Sequence, residues 1–156
     1  MSDYLLMGKA VEIALRNVMT NHGGPFGAIV VKDGQIIGVG RNEVTSSNDP
    51  TAHAEVQAIR DACSHLNDFQ LRDCEIYTSC EPCPMCIGAI YWARPKAVYY
   101  ACTKQDAAKI GFDDQFIYDQ LALPMEFRKI PMTQIYPEKG DLPFRTWEKT
   151  KNKVEY

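Results

Sequence analysis

Two short segments of this 156-residue chain carry side chains suited to metal and proton chemistry. His53-Ala54-Glu55 offers an imidazole and a carboxylate two positions apart. Pro82-Cys83-Pro84-Met85-Cys86 offers two thiols three positions apart. Residues three apart on a helix share a face, and the free N–H groups and dipole of a first turn favour thiolates. His53 lies thirty residues before Cys83, far enough to come from a separate element. One imidazole and two thiolates make a three-ligand zinc site whose fourth tetrahedral position stays open to water. Zinc lowers the pKa of such water towards ~7, which supplies a nucleophile at neutral pH. Glu55 is too near His53, and too differently directed, to serve as a fourth ligand. It is instead placed to take a proton from that water and pass it to a leaving group. The expected cofactor is one zinc ion per chain.

Two rival sites use the same residues. A closed structural zinc site would take Cys80, Cys83, Cys86 and His53, and would make the chain a binding module. An iron–sulfur site would use the run Cys80-x-x-Cys83-x-x-Cys86, which lacks the further cysteine and proline of a ferredoxin run. Cys80 precedes Pro82 and falls outside the turn that aligns the other two thiols. Neither rival accounts for an acidic residue two positions after the histidine. The scattered Cys63, Cys74 and Cys102 read as small buried side chains.

The elements that must position these groups follow from periodicity and breakers. Residues 4–19 read as an amphipathic helix whose apolar face is Leu5, Val11, Ile13, Ala14, Leu15 and Val18. Gly23-Gly24-Pro25 ends it. Strands follow at 26–31 and 35–40 around the Lys32-Asp33-Gly34 turn, then a polar loop at 41–50. A helix over 51–66 is expected, capped by Thr51 or Asp49. Glu75 to Thr78 reads as a strand, Pro84 to Trp92 as a short helix with proline in its first turn, and Ala97 to Ala101 as a strand. Beyond them come a helix near 114–121, a strand at 132–136 and a closing helix from Phe144 to about Lys151. A hairpin followed by alternating helices and strands predicts α/β architecture: a three-layer α/β/α sandwich around a mixed central sheet, in one domain spanning 1–156.

Composition narrows the function. Seventeen Lys and Arg stand against twenty Asp and Glu, a net charge of −3, a poor footprint for gripping phosphate backbones. The hydrophobic share of 46% is ample for a core and excludes disorder. No apolar run approaches the roughly 18 residues needed to span a bilayer, and the first residues read as neither leader nor transit peptide. The expectation is a cytoplasmic protein with no membrane and no nucleic-acid partner. Lys149, Lys151 and Lys153 alternate with Glu148 and Glu155 as a solvated face, and His22 and His65 read as surface residues.

H-x-E followed by P-C-x-x-C is the signature of zinc-dependent base deaminases. Across nearly its whole length the chain resembles the cytidine deaminase superfamily, and more closely the small bacterial guanine deaminases. The resemblance is carried by Gly24-Pro25-Phe26-Gly27-Ala28, Asn42, Asn48 through Glu55, Thr78 through Cys86, Tyr91-Trp92-Ala93 and Gly111-Phe112-Asp113-Asp114. Phe112 through Asp114 to Tyr118, with the aromatic C-terminus, points to guanine within the superfamily. The resemblance implies a cytidine deaminase-like fold and hydrolytic deamination of guanine to xanthine and ammonia, within purine metabolism and guanine catabolism. Activated water would attack C2 and Glu55 would shuttle protons. It further implies that Asn42 and the Ala54 backbone hold the purine edge, that Phe26 and Trp92 flank its plane, and that Asp114 assists proton transfer. It also implies a homodimer in which the C-terminal part, about 110–156, swaps between subunits, so that Asp114 and Tyr156 close the partner's pocket.

Each role has a plainer alternative. Asn42 reads equally as a loop residue bonding its own backbone, and Phe26 and Trp92 as ordinary core aromatics. Asp114, or Asp113 beside it, reads as a helix cap, and Tyr156 as a frayed end. Glu81 reads either as a group that orients a metal ligand from behind or as a bystander before proline. Other deaminases share the zinc motifs, and a tRNA adenosine or a cytosine deaminase is the alternative enzyme.

Overall fold

The computed structural model describes all residues, 1–156. The chain divides into two compact units, Met1–Gln115 and Phe116–Tyr156. The first is built on a four-stranded sheet of order β2-β1-β3-β4, with β1 Gly27–Lys32, β2 Gln35–Arg41, β3 Cys74–Cys80 and β4 Ala97–Cys102. The β1/β2 hairpin and the β1/β3 pair are antiparallel, while β3 and β4 run parallel, so the sheet is mixed.

Alternation along the strands feeds two cores. Ile29, Val31 and Tyr77 face helix α1 (Asp3–Met19) and bury Leu6 and Ala10. Ala28, Val30 and Ile76 face the other way, against Ala54, Ala58 and Ala62 of α3 (Ala54–Leu66) and Ile90 and Ala93 of α4 (Pro84–Ala93). Helices thus cover both faces, as the three-layer sandwich requires. A short helix α2 (Val44–Ser47) lies in the polar loop, and α5 (Lys104–Lys109) follows β4. The Thr103 and Asp106 capping box starts α5, a helix that no expectation above covers.

The buried stripe of α1 departs from expectation. Leu6, Ala10, Ala14 and Asn17 are buried, whereas Leu5, Val11, Leu15 and Val18 are exposed. The cause is close approach: a methyl added to Gly27 would stand 2.5 Å from the Ala10 carbonyl and 2.7 Å from the Ala14 nitrogen. Only small side chains fit the helix side that touches the sheet. Likewise α3 begins later than expected, with His53 in the N-cap position and no side-chain cap. Asp49 caps no helix but accepts from the Thr51 amide at 2.8 Å and its hydroxyl at 2.7 Å, forming the turn that leads into His53.

The second unit holds the rest of α6 (Gln115–Ala122), a 3₁₀ turn at Met125–Phe127 and α7 (Leu142–Lys149). Arg128 closes the α6 C-terminus by donating to the carbonyls of Gln120 and Leu123 at 3.1 and 3.3 Å. The strand expected at 132–136 is absent: those residues have no regular structure and pair with no ladder. Alternating apolar residues make a strand only where a neighbour takes up their N–H and C=O groups. None of the helices is long and apolar enough to cross a membrane.

The alanine stripe of α3 lies directly over Gly38 and Gly40 of β2. A methyl on Gly40 would collide with the Ala54 carbonyl and the Ala58 nitrogen. Gly40→Ala should therefore destabilise the fold by about 1–3 kcal/mol through overpacking. Gly8→Ala, in open space on α1, should stabilise by about 0.5–1 kcal/mol. Paired thermal melts check both signs.

Candidate metal and active site

The site is assembled from two helix starts. The Asp49–Thr51 turn and the bonds from the His53 N–H to the Thr51 carbonyl (2.8 Å) and from the Glu43 N–H to the Ala52 carbonyl (2.9 Å) fix the approach to α3. His53 sits in the N-cap position and Glu55 in the first turn. From the end of β3 the chain turns at Pro82, Cys83 becomes the N-cap of α4, and Pro84 opens the helix. Cys86, three residues on, is fully buried.

The three donor atoms of His53, Cys83 and Cys86 lie within 4.8 Å of one another. His53 Nδ1 is 3.5 Å from each sulfur. A tetrahedral centre with bonds of about 2.3 Å to sulfur and 2.0 Å to nitrogen would impose a nitrogen–sulfur separation of about 3.5 Å. Donor set and spacing therefore both fit zinc. Cys80 does not join them. Its thiol points to the Thr103 carbonyl at 3.7 Å, and it is not part of the three-donor group, which speaks against the closed four-ligand alternative.

The group's electrostatics are those of a cation site. The hydrogen bond from Cys86, together with His53, holds the Cys83 thiol well below its ordinary range. The same bond, with burial, pushes Cys86 far up. The Cys83 contact raises His53 above an ordinary imidazole. Two sulfurs this close share one negative charge until a cation allows both to ionise.

Glu55 is 5% exposed, and Thr78 Oγ1 donates to its Oε1 at 2.5 Å. The carboxylate also reaches the Cys86 thiol. Thr78 is fully buried on β3, and its hydroxyl lies 3.1 Å from the Cys80 carbonyl. The sequence reading gave Thr78 no role. The available signal is the strand period: Thr78 lies two residues before Cys80, on the sheet face that meets α3.

Other expected residues divide. Asn42 is 7% exposed, and its Oδ1 accepts the Val44 and Gly24 amides at 3.2 and 3.4 Å, which leaves its NH₂ as the presented end. Phe26 packs edge-on against Phe112, ring centres 5.0 Å apart. Ala54 opens a helix that lacks a side-chain cap, so first-turn N–H groups remain available beside His53. Asp113 accepts the Gln115 amide at 2.9 Å. Asp114 is half-buried, and burial and then the nearby charge on Cys83 raise its carboxyl. Asp113 thus bonds the start of α6, while Asp114 feels the charge of Cys83 in its own chain. Trp92 is placed on α4. It is 60% exposed, six residues past Cys86 and on another face of α4. Tyr156 is 69% exposed and belongs to the second unit. Cys102, expected buried, is exposed, and Cys63 is half-buried. His22 is only partly exposed and meets Glu43 at 3.2 Å.

Residues 1–102 match the family model for the cytidine and deoxycytidylate deaminase zinc-binding region. Over 156 residues, all of both proteins, the chain is 56% identical to the guanine deaminase of Bacillus subtilis. The X-ray structure of that enzyme superposes with a TM-score of 0.97, over 100% of this chain and 99% of that one. The tRNA-specific adenosine deaminase of Aquifex aeolicus is 47% identical over 88 residues, 56% of this chain and 58% of that protein. With its donor triad, its buried glutamate and full-length likeness in both sequence and fold, the chain belongs to the cytidine and deoxycytidylate deaminase zinc-binding family, on its guanine deaminase branch.

Proposed function

We propose that this protein hydrolyses guanine to xanthine and ammonia, with His53, Cys83 and Cys86 holding zinc and Glu55 carrying protons. The observation that carries the chemistry is the three-donor group at 3.5 Å spacing with one buried carboxylate against it. The choice of base rests on likeness across the whole chain to a guanine deaminase, against 88 residues for a tRNA-specific enzyme. The net charge of −3 speaks the same way, since a tRNA editor must neutralise many phosphates.

Zinc in this site supplies Lewis acidity and lowers the pKa of water towards ~7. The remaining work belongs to the chain. Glu55 accepts a proton from the attacking water and delivers it to the ring nitrogen beside C2. Glu55 then carries the remaining proton of that oxygen, now the hydroxyl on C2, to the amino group, so that the C2–N bond breaks as C2–O becomes a carbonyl and ammonia leaves. Thr78 holds the carboxylate in one orientation by donating to Oε1. The NH₂ of Asn42 and the N–H of Ala54 offer donors to the acceptor edge of the base. The Phe26 ring, braced by Phe112, lies along its face. Asp114 accepts from the exocyclic amino group and assists its departure as ammonia.

The same reading includes a homodimer in which the C-terminal part exchanges between subunits, with Asp114 and Tyr156 closing the partner's pocket and Trp92 flanking the plane of the base beside Phe26. In support, no residue of the second unit is buried, and Phe116, Ile130, Ile135 and Phe144 are each well exposed. All six cysteines are free, which accords with a reducing cytoplasm.

Glu55→Gln should retain one zinc per chain yet lose roughly 10²–10⁴-fold in kcat, the usual worth of a positioned proton carrier. Thr78→Val should lower kcat by about tenfold or more, as expected for a lost hydrogen bond to a charged group, and Thr78→Ser should restore it. Metal analysis with steady-state kinetics checks both. A substrate panel tests the base. Ammonia release from guanine, with adenine, cytosine, guanosine and tRNA inert, is expected. An inert guanine beside a reactive anticodon loop would transfer the assignment to tRNA.

A further inference from the structure

We propose that Asn17, on α1 and outside every motif, is the positioning residue for the base-recognition edge of the site. The inference rests on the substrate reading above, because it acts through Asn42 and Phe26.

Asn17 is 1% exposed. Its Nδ2 donates to the Gly24 carbonyl at 2.8 Å and to the Asn42 carbonyl at 2.9 Å. Both partners are pure acceptors, so only the NH₂ end of the amide can face them. The other end, Oδ1, is then buried with no hydrogen-bond partner. An orphaned acceptor is a cost that ending a helix does not require, since the α1 C-cap is already closed by backbone bonds to Arg16 and Val18. The backbone oxygen of Asn17 also accepts the His22 and Gly23 amides at 3.0 and 3.4 Å.

The knot this builds is tight and directional. A methyl on Gly23 would collide with the Asn42 carbonyl and stand 3.0 Å from Asn17 Nδ2. The Asn42 N–H donates to the Phe26 carbonyl at 3.2 Å, and its Oδ1 takes the Gly24 and Val44 amides. Asn17 thus fixes the backbone of Asn42 while three other bonds fix its remaining groups, and only the Asn42 NH₂ is left to meet a base. Phe26 is tied into the same knot. His53, Glu55, Thr78, Cys83 and Cys86 lie on α3, β3 and α4 and share no hydrogen bond with it. Loosening the knot therefore degrades base binding and spares metal and proton transfer.

The test uses zinc-loaded, full-length protein with Asn17→Ala, Asn17→Asp (same shape, no donor) and Gly23→Ala (a wedge at the same junction). Leu6→Ala, a buried change elsewhere on α1, controls for lost stability. In the three site variants KM for guanine should rise about tenfold or more while kcat stays within about threefold, the pattern of lost uniform binding. Zinc should stay at one per chain, and Leu6→Ala should lower the melting temperature without moving KM. An unmoved KM in folded site variants, an equal KM rise in Leu6→Ala, or failure of all three variants to fold would overturn the proposal. Absence of guanine turnover in the wild type would instead overturn the substrate reading, and this inference with it.

Discussion

Everything in this molecule answers to one electrostatic requirement: two cysteine sulfurs and an imidazole nitrogen must be held within bonding range of a single point. Like charges at that range repel: the contact holds the Cys83 thiol low and pushes Cys86 up, so both sulfurs ionise only around a cation. Neither sulfur can back away. Cys83 is the N-cap of α4 and Cys86 belongs to its first turn, so the helix fixes both. His53 arrives from the start of α3, and its position depends on how closely that helix lies on the sheet.

That closeness is a matter of volume. Ala54, Ala58 and Ala62 on one side and Gly38 and Gly40 on the other let backbone meet backbone, and larger residues would lift α3 away. Once α3 is seated, its first turn carries Glu55 in beside the His53 N-cap, and β3 brings Thr78 to it. Metal donors, proton carrier and the hydroxyl that steadies it are thus set by three elements of one rigid core. The segment between α1 and α2 is held separately, by backbone amides and the Asn17 carboxamide that orient Asn42, and we propose that base recognition is built there.

Much of this was legible in the chain because ligand chemistry depends on residue type and spacing, both of which a sequence states outright. The strands around Lys32-Asp33-Gly34, the proline at the start of α4 and the His53, Cys83 and Cys86 donors all followed from local rules. What was hidden depends on partners distant in sequence. The apolar face of α1 was misread because close packing favours Ala10 and Ala14 over the exposed Leu5 and Leu15. The segment 132–136 has a strand's alternation and no neighbour to pair with. Thr78 and Asn17 escaped notice because one hydroxyl in a strand and one amide in a helix have meaning only through the groups they touch.

The central claim is that three protein donors, and no fourth, hold the metal. X-ray absorption at the zinc edge of the loaded protein tests it directly. Two sulfurs at about 2.3 Å and two lighter scatterers near 2.0–2.1 Å are predicted, one from His53 and one from outside the chain. A third sulfur in the shell, lost on Cys80→Ser, would mean a closed structural site and would contradict the account.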